Sequence, residues 1–297
     1  MKVTVFGSGG WGTALATVLA EKHDRVDLYV SNPQQAERIR RERENSAYLP
    51  GVPIPAQVFV CDDAAEALRD AELLVLATPS HGVRAAAKTL ASFLPADCTV
   101  VSVAKGLEMD TCLRMTEVLS EEIPAVKNRL VVLSGPNHAE EVGRRLPGAS
   151  VAASADTHLA ELVQDAFMTS CFRIYANDDV IGVELGGALK NIVAIGAGIA
   201  EGLGFGDNAK AALMTRGLAE IARLGAACGA SSATFSGLAG LGDLIATCTS
   251  AHSRNRRAGL AIARGRSLAE IQAESGMVVE GIRATAAAWR LSRRLSV

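Results

Sequence analysis

Hydrophobic and polar positions along the chain keep one rhythm up to about residue 178 and a different one after it. In the first part, short apolar runs bounded by turn residues alternate with segments whose apolar positions are spread helically. Lys2–Phe6, Arg25–Val30, Leu73–Ala77, Thr99–Ala104 and Leu130–Leu133 predict strands. Thr13–Glu21, the very polar Pro33–Glu44, and stretches near 63–69, 81–92 and 111–121 predict helices. Continuous apolar strands alternating with helices predict a parallel sheet covered on both faces. After Tyr175 strand signals stop. Asn177-Asp178-Asp179 offers capping residues, and from Val180 onward Ala, Leu, Ile and Gly recur in long helical patterns. Breaks fall near 202–208, 229–232 and 250–253. The fold class is therefore α/β: an N-terminal doubly wound sheet in residues 1–180 and a C-terminal all-helical domain in residues 181–297.

Composition adds limits to this picture. The chain has 297 residues, 49% of them hydrophobic and 21% charged, which excludes a disordered chain. A net charge of −2 argues against a general nucleic-acid or anionic-membrane binder. Mean hydropathy is +0.21, yet the longest tempting apolar stretch, Ile192–Ala200, is nine residues between Lys190 and Glu201. A membrane span needs about 20, so none is expected. The first residues hold too short an apolar stretch for a signal peptide. A soluble, cytoplasmic protein is expected, with a large core, a buried subunit interface, or both. Six cysteines at 61, 98, 112, 171, 228 and 248 and five histidines show no metal-ligand spacing, so reduced thiols and no metal are expected.

Gly7-Ser8-Gly9-Gly10-Trp11-Gly12 reads G-x-G-x-x-G. It follows a predicted strand and opens a predicted helix, the context of a Rossmann-type dinucleotide fingerprint. Gly7 permits the tight turn, Gly9 lets a pyrophosphate approach the backbone, and Gly12 lets helix and strand pack closely. The second strand ends in Ser31-Asn32 rather than a carboxylate, and Asp27 lies mid-strand. A 2′-phosphate would meet no repulsion there, and Arg38, Arg40 or Arg41 could reach it. This favours NADP or dual use of NADPH and NADH.

Four other segments carry candidate chemistry. Lys105 in Val103-Ala104-Lys105-Gly106-Leu107-Glu108 and the turn Ser134-Gly135-Pro136-Asn137-His138 both follow strands, at the edge where open α/β sheets bind ligands. Lys190, after Gly186-Gly187, sits in an apolar helix, where burial lowers a lysine's pKa and suits it to proton transfer near neutral pH. Gly240-Leu241-Gly242-Asp243 precedes Ser253-Arg254-Asn255-Arg256-Arg257, a forked cation with neutral donors that suits a phosphate. The local basic cluster Arg254, Arg256, Arg257, Arg264 and Arg266 is sized for a small phosphate rather than a polymer. Other dehydrogenases of this architecture, acting on a hydroxy acid or a sugar nucleotide, and a coenzyme-binding regulator are competing readings.

Residues 7–16, Ala-Lys-Gly-Leu-Glu at 104–108, Ser-Gly-Pro-Asn at 134–137, Leu-Lys-Asn at 189–191, Gly-Leu-Gly-Asp at 240–243, Ser-Arg-Asn-Arg at 253–256 and Val-Glu-Gly at 279–281 stand in order over essentially the whole chain. Together they resemble bacterial-type NAD(P)-dependent glycerol-3-phosphate dehydrogenase. The resemblance implies reduction of dihydroxyacetone phosphate to sn-glycerol 3-phosphate for glycerophospholipid synthesis. It implies Lys190 as proton donor and acceptor, and Lys105 in contact with substrate and coenzyme. Gly135, Asn137, Asp243, Ser253, Arg254 and Asn255 would hold substrate, with Arg254 also near the coenzyme. Gly10, Trp11, Ser31, Ala139, Val278 and Glu280 would line the coenzyme site. Two residues depart from the family's pattern: Asn137 stands where many members have Ser or Thr, and Ser31 where many have Arg. Relatives usually continue past Arg293-Arg294-Leu295 with a further helical segment, so this chain is expected to be short at its C-terminus. A homodimer through the helical domain is the expected assembly.

Overall fold

The computed structural model describes residues 1–275 and 279–297. Its elements run β1 (Val3–Phe6), α1 (Gly10–Leu19), β2 (Val26–Tyr29), α2 (Pro33–Glu42), β3 (Glu44–Asn45), β4 (Leu49–Pro53), β5 (Val58–Cys61), α3 (Ala64–Leu68), β6 (Leu73–Leu76), α4 (Val83–Leu90) and β7 (Thr99–Ser102). They continue with α5 (Met115–Glu122), β8 (Leu130–Ser134), α6 (Ala139–Gly143), β9 (Gly148–Ala153), α7 (Thr157–Phe167) and β10 (Phe172–Asn177). Then come α8 (Val180–Gly202), α9 (Gly206–Ala227), α10 (Ser232–Phe235), α11 (Asp243–Thr249), α12 (Arg254–Ala263), α13 (Leu268–Ser275) and α14 (Glu280–Leu295).

Among the described residues the main sheet has eight strands, ordered β10-β9-β8-β7-β6-β1-β2-β5. Residues along each central strand alternate between two cores. Val3, Val5, Leu73 and Val75 pack with α1, α2 and α7, while Leu74, Leu76 and Val100 pack with α3, α4 and α5. Both faces are covered, so the strands are apolar throughout. The sheet is not wholly parallel as expected: β8 and β9 pair antiparallel, then β10 runs parallel to β9. β5, β9, β10 and the small β3–β4 hairpin add to the strands that the apolar runs predict.

In the helical half, α8 is the central element, with Leu185, Ala188, Leu189 and Ala194 in one core with Ile221 and Leu224 of α9 and Ala287 of α14. Val183 of α8 also meets Val132 and Val151 of the sheet. The expectation that no apolar stretch is long enough to cross a membrane is corrected here. Val180–Gly202 is a 23-residue helix of hydropathy 1.5, and 78% of its most apolar window is buried within the protein. Its apolar faces serve the core, and its polar side chains Glu184, Lys190 and Asn191 are buried with partners.

Candidate active site

The strand order reverses between β1 and β6, and the glycine loop leaves β1 at that point. Open sheets bind ligands in this crevice because connections from the two flanking strands diverge. A Cβ on Gly12 would stand 1.9 Å from Gly7 O, and one on Gly7 would stand 2.7 Å from Ala77 O. Both glycines are needed for loop, helix and β6 to close up. Gly9 is different, because nothing lies within 4 Å of its Cβ position. The first-turn N–H groups of α1 have no partner within the helix, and the helix dipole adds positive potential. A pyrophosphate-bearing coenzyme thus fits the residues present. Around the loop, Gly10 abuts Tyr48 O and the Cβ of Ala139, and half-buried Trp11 keeps an indole N–H without a partner. Ser31 is exposed at the tip of β2.

The second half of the site is a lysine pair around one carboxylate. Lys190 Nζ donates to Asp243 Oδ1 and, at 2.7 Å, to Thr247 Oγ1. Lys105 Nζ donates to Asp243 Oδ2 and to Gly135 O, both at 2.8 Å. α8 can lie this close to Lys105 because Gly187 has no side chain. A Cβ there would sit 2.7 Å from Ser134 Oγ and 3.4 Å from Lys105 Cγ. Lys190 is only 5% exposed. Burial lowers its ammonium to about 7; Asp243 opposes that shift and Lys105 adds to it.

Of the other expected residues, Asn255 and Glu280 lie against the segments that carry this pair. Asn191 Oδ1 accepts from Asn255 Nδ2 at 2.8 Å, and Asn255 Oδ1 accepts from Gly281 N at 2.9 Å. Ser253 is the N-cap of α12, its Oγ accepting from Arg256 N, and Arg254 is exposed on the first turn of that helix. Glu280 binds Ser80 N and Oγ beyond β6 and lies against Gly106. Asn137 sits beside the pair's loop, but its amide is bound by β9: Nδ2 donates to Ala149 O and Oδ1 accepts from Ser150 Oγ. Val278 lies outside the described residues. Arg256 is held by Glu201 rather than turned to a ligand, so the basic cluster is smaller than expected. Among the described residues, no three or more His, Cys, Asp or Glu side chains converge as metal ligands do.

Residues 2–160 match the family model described as NAD-dependent glycerol-3-phosphate dehydrogenase N-terminus, and residues 179–297 match its C-terminus. The chain belongs to the NAD-dependent glycerol-3-phosphate dehydrogenase family. It is 54% identical over 297 residues to glycerol-3-phosphate dehydrogenase [NAD(P)+] of Pelotomaculum thermopropionicum, covering all of this chain and 85% of that protein. The Bacillus licheniformis protein of the same name is 50% identical over 299 residues, with 100% and 86% covered. The crystal structure of glycerol-3-phosphate dehydrogenase from Coxiella burnetii superposes with a TM-score of 0.95 at 36% identity, covering 100% of this chain and 90% of that one. The fold is that of the family: a Rossmann-type sheet with a helical C-terminal half. Lys105 comes from the first matched segment, and Lys190 and Asp243 from the second.

Three residues at this site were missed by sequence reasoning. Thr247 binds Lys190 one turn after Asp243, an i, i+4 spacing that was readable once Asp243 was singled out. Asn45 is fully buried and donates to Ser8 O and Thr13 Oγ1, both at 2.8 Å, bracing the glycine loop. Tyr48 contributes its carbonyl beside Gly10. Nothing in the polar run around Asn45 and Tyr48 distinguished them from a solvated turn.

Proposed function

We propose that the chain transfers a hydride between NAD(P)H and dihydroxyacetone phosphate, giving sn-glycerol 3-phosphate for glycerophospholipid synthesis. One observation carries the reading: a buried lysine with a pKa of about 7, Lys190, tied through Asp243 to a second lysine at the crevice beyond β7 and β8. Bound NAD(P)H would supply the hydride. Lys190 then gives its proton to the oxygen that becomes the alcohol, and takes it back in reverse. Lys105 adds positive charge beside the developing alkoxide. Asp243 holds both ammonium groups in place, and Thr247 fixes the second hydrogen bond of Lys190.

The coenzyme role falls to Gly7, Gly9, Gly10, Trp11, Gly12, Ser31, Ala139 and Glu280, with Lys105 and Arg254 at its reacting end. Gly135, Asn137, Ser253, Arg254 and Asn255 line the substrate side. Asn137 acts there by holding the Gly135 turn against β9. Arg254, on the first turn of α12, suits the substrate's phosphate. On this reading residues 1–180 carry the coenzyme and residues 181–297 close over the substrate. A cytoplasmic homodimer belongs to the same proposal. It is supported by six cysteines without disulfides and by exposed Leu203, Phe205 and Trp289 on the helical half.

The test is NADPH oxidation with dihydroxyacetone phosphate against unphosphorylated dihydroxyacetone. Oxidation is expected with the phosphate ester and not with the free ketone. Equal rates on both, or none on either, would overturn the proposal.

A further inference from the structure

The tip of β2 and the first turns of α2 border a cleft of about 260 Å³, lined by Asn32, Gln34, Gln35, Arg38, Ala47 and Tyr48. The cleft adjoins the glycine loop, since Tyr48 O lies against Gly10 and Gln35 Nε2 reaches Ser8 O at 3.5 Å. β2 is the neighbour of β1, and the end of this second strand is where a doubly wound fold receives the adenosine ribose. A fold selective for the unphosphorylated ribose places a carboxylate there. None lines this cleft. The carboxylates nearby are engaged elsewhere: Asp27 lies between Lys2 and Arg25, Glu37 on Arg40, Glu42 on Arg41, and Glu44 on Gly51 N.

The three arginines of α2 are not equivalent. Arg40 is held by Val60 O and Asp62, and Arg41 pairs with Glu42. Among the described residues Arg38 has no ion pair, and its Nε is buried on the cleft wall without any hydrogen-bond partner. A buried donor left without an acceptor is unfavourable, and the cost is removed when a ligand brings the acceptor. Asn32 spends its Oδ1 on capping α2 through Gln35 N, which leaves its amide N–H group and the Ser31 hydroxyl as neutral donors at the rim.

We propose that Arg38 holds the coenzyme's 2′-phosphate and thereby sets a preference for NADPH over NADH. The assignment rests on the coenzyme-dependent reading above. A guanidinium is always cationic, and its fork matches two phosphate oxygens. The cleft opens beside the N-terminus of α2, whose dipole favours the same anion. Ser31 and Asn32 would complete the shell with neutral hydrogen bonds.

The test reads binding without turnover, by titrating NADPH or NADH fluorescence with protein, with 2′,5′-ADP and 5′-AMP as competing probes. Arg38→Ala is expected to weaken NADPH and 2′,5′-ADP roughly 10- to 100-fold, the range of a lost hydrogen bond to a charged group. NADH and 5′-AMP should stay within about threefold, since neither carries a 2′-phosphate. Arg38→Glu should reverse the preference, and exposed Arg41→Ala should leave it unchanged. Equal weakening of both coenzymes by Arg38→Ala would show a packing role and overturn the assignment, as would no weakening of NADPH. A protein that binds NADPH through Arg38 but oxidises none with dihydroxyacetone phosphate would overturn the proposed reaction and leave this assignment standing.

Discussion

Lys190 and Asp243, 53 residues apart in the chain, share a buried hydrogen bond at the centre of the site. The carboxylate stands against the effect of burial on the amine, and the outcome is an ammonium titrating at about 7. Ketone reduction needs that group protonated. kcat/KM for reduction should therefore fall as pH rises through about 7, and kcat/KM for alcohol oxidation should rise over the same range. Asp243→Asn removes the group that raises the pKa, so its falling limb should move to lower pH. Lys105→Met removes a like charge, so its limb should move higher. Limbs that stay in place in both variants would take Lys190 out of the proton-transfer role.

Removing the amine tests the same role by rate. Lys190→Ala should lower kcat by roughly 10²- to 10⁴-fold, the usual worth of a positioned general acid. NADPH affinity should change little, because the glycine loop is untouched. Retained turnover would end the assignment. Stability carries a second signature. The folded chain holds Lys190 below its ordinary 10.5, so between about 7 and 10.5 the unfolded chain binds more protons. Stability therefore gains from this residue as pH rises through that window, and its cost is full below about 7. Lys190→Met should flatten that part of the curve in denaturant melts.

How much of this was legible in sequence depended on distance along the chain. The β1–loop–α1 unit was readable because strand, glycine spacing and helix all lie within residues 3–19. Lys190 stood out because small residues precede it by one turn. β9 did not stand out, since Gly-Ala-Ser-Val-Ala-Ala lacks the branched and aromatic residues that mark strands. Edge strands β5 and β10 are only partly buried, and Phe59 and Tyr175 are exposed. The length of α8 was readable from the helical pattern between Val180 and the break near 202–208, but its apolar character was not, because Lys190 and Asn191 break the run and only tertiary partners make them core residues. The same applies to Asn45, whose acceptor Ser8 is 37 residues away. Which of several arginines is already paired is invisible until the fold is known: Arg256 looked available and is bound to Glu201.

The glycine loop separates packing from ligand approach. A Cβ on Gly12 would enter the backbone of Gly7 at 1.9 Å, so Gly12→Ala should lower the melting temperature and coenzyme affinity together. Gly9 has open space at its Cβ position and a φ of −69°, which an L-residue adopts freely. Gly9→Ala should melt within a degree or two of the parent, about 0.5 kcal/mol at most, yet bind NADPH less tightly. Calorimetry and coenzyme titration on both variants check this. A Gly9→Ala protein with unchanged affinity would show that the coenzyme does not approach that backbone.

Glu184 makes the last prediction, which concerns how the helical half is fastened to the sheet. It is buried in α8 and accepts hydrogen bonds from Thr116 N at 2.9 Å, Thr116 Oγ1 at 2.7 Å and Arg114 Nη1 at 2.6 Å. Burial pushes its carboxyl above the usual range, while Arg114 and the Thr116 donors pull it back. Glu184→Ala leaves both Thr116 donors and Arg114 Nη1 without their buried acceptor, while Arg114 Nη2 keeps Glu117. The loss should be about 3–5 kcal/mol in denaturant melts, the range for breaking a buried ion pair from one side. Glu184→Gln keeps the shape and one acceptor, so it should lose less. Coenzyme affinity of whatever fraction remains folded should stay near that of the parent, because the pair lies away from the glycine loop. A loss under about 1 kcal/mol for Glu184→Ala, the size of an exposed pair, would mean that the apolar contacts of Val183 with Val132 and Val151 hold the two halves together instead.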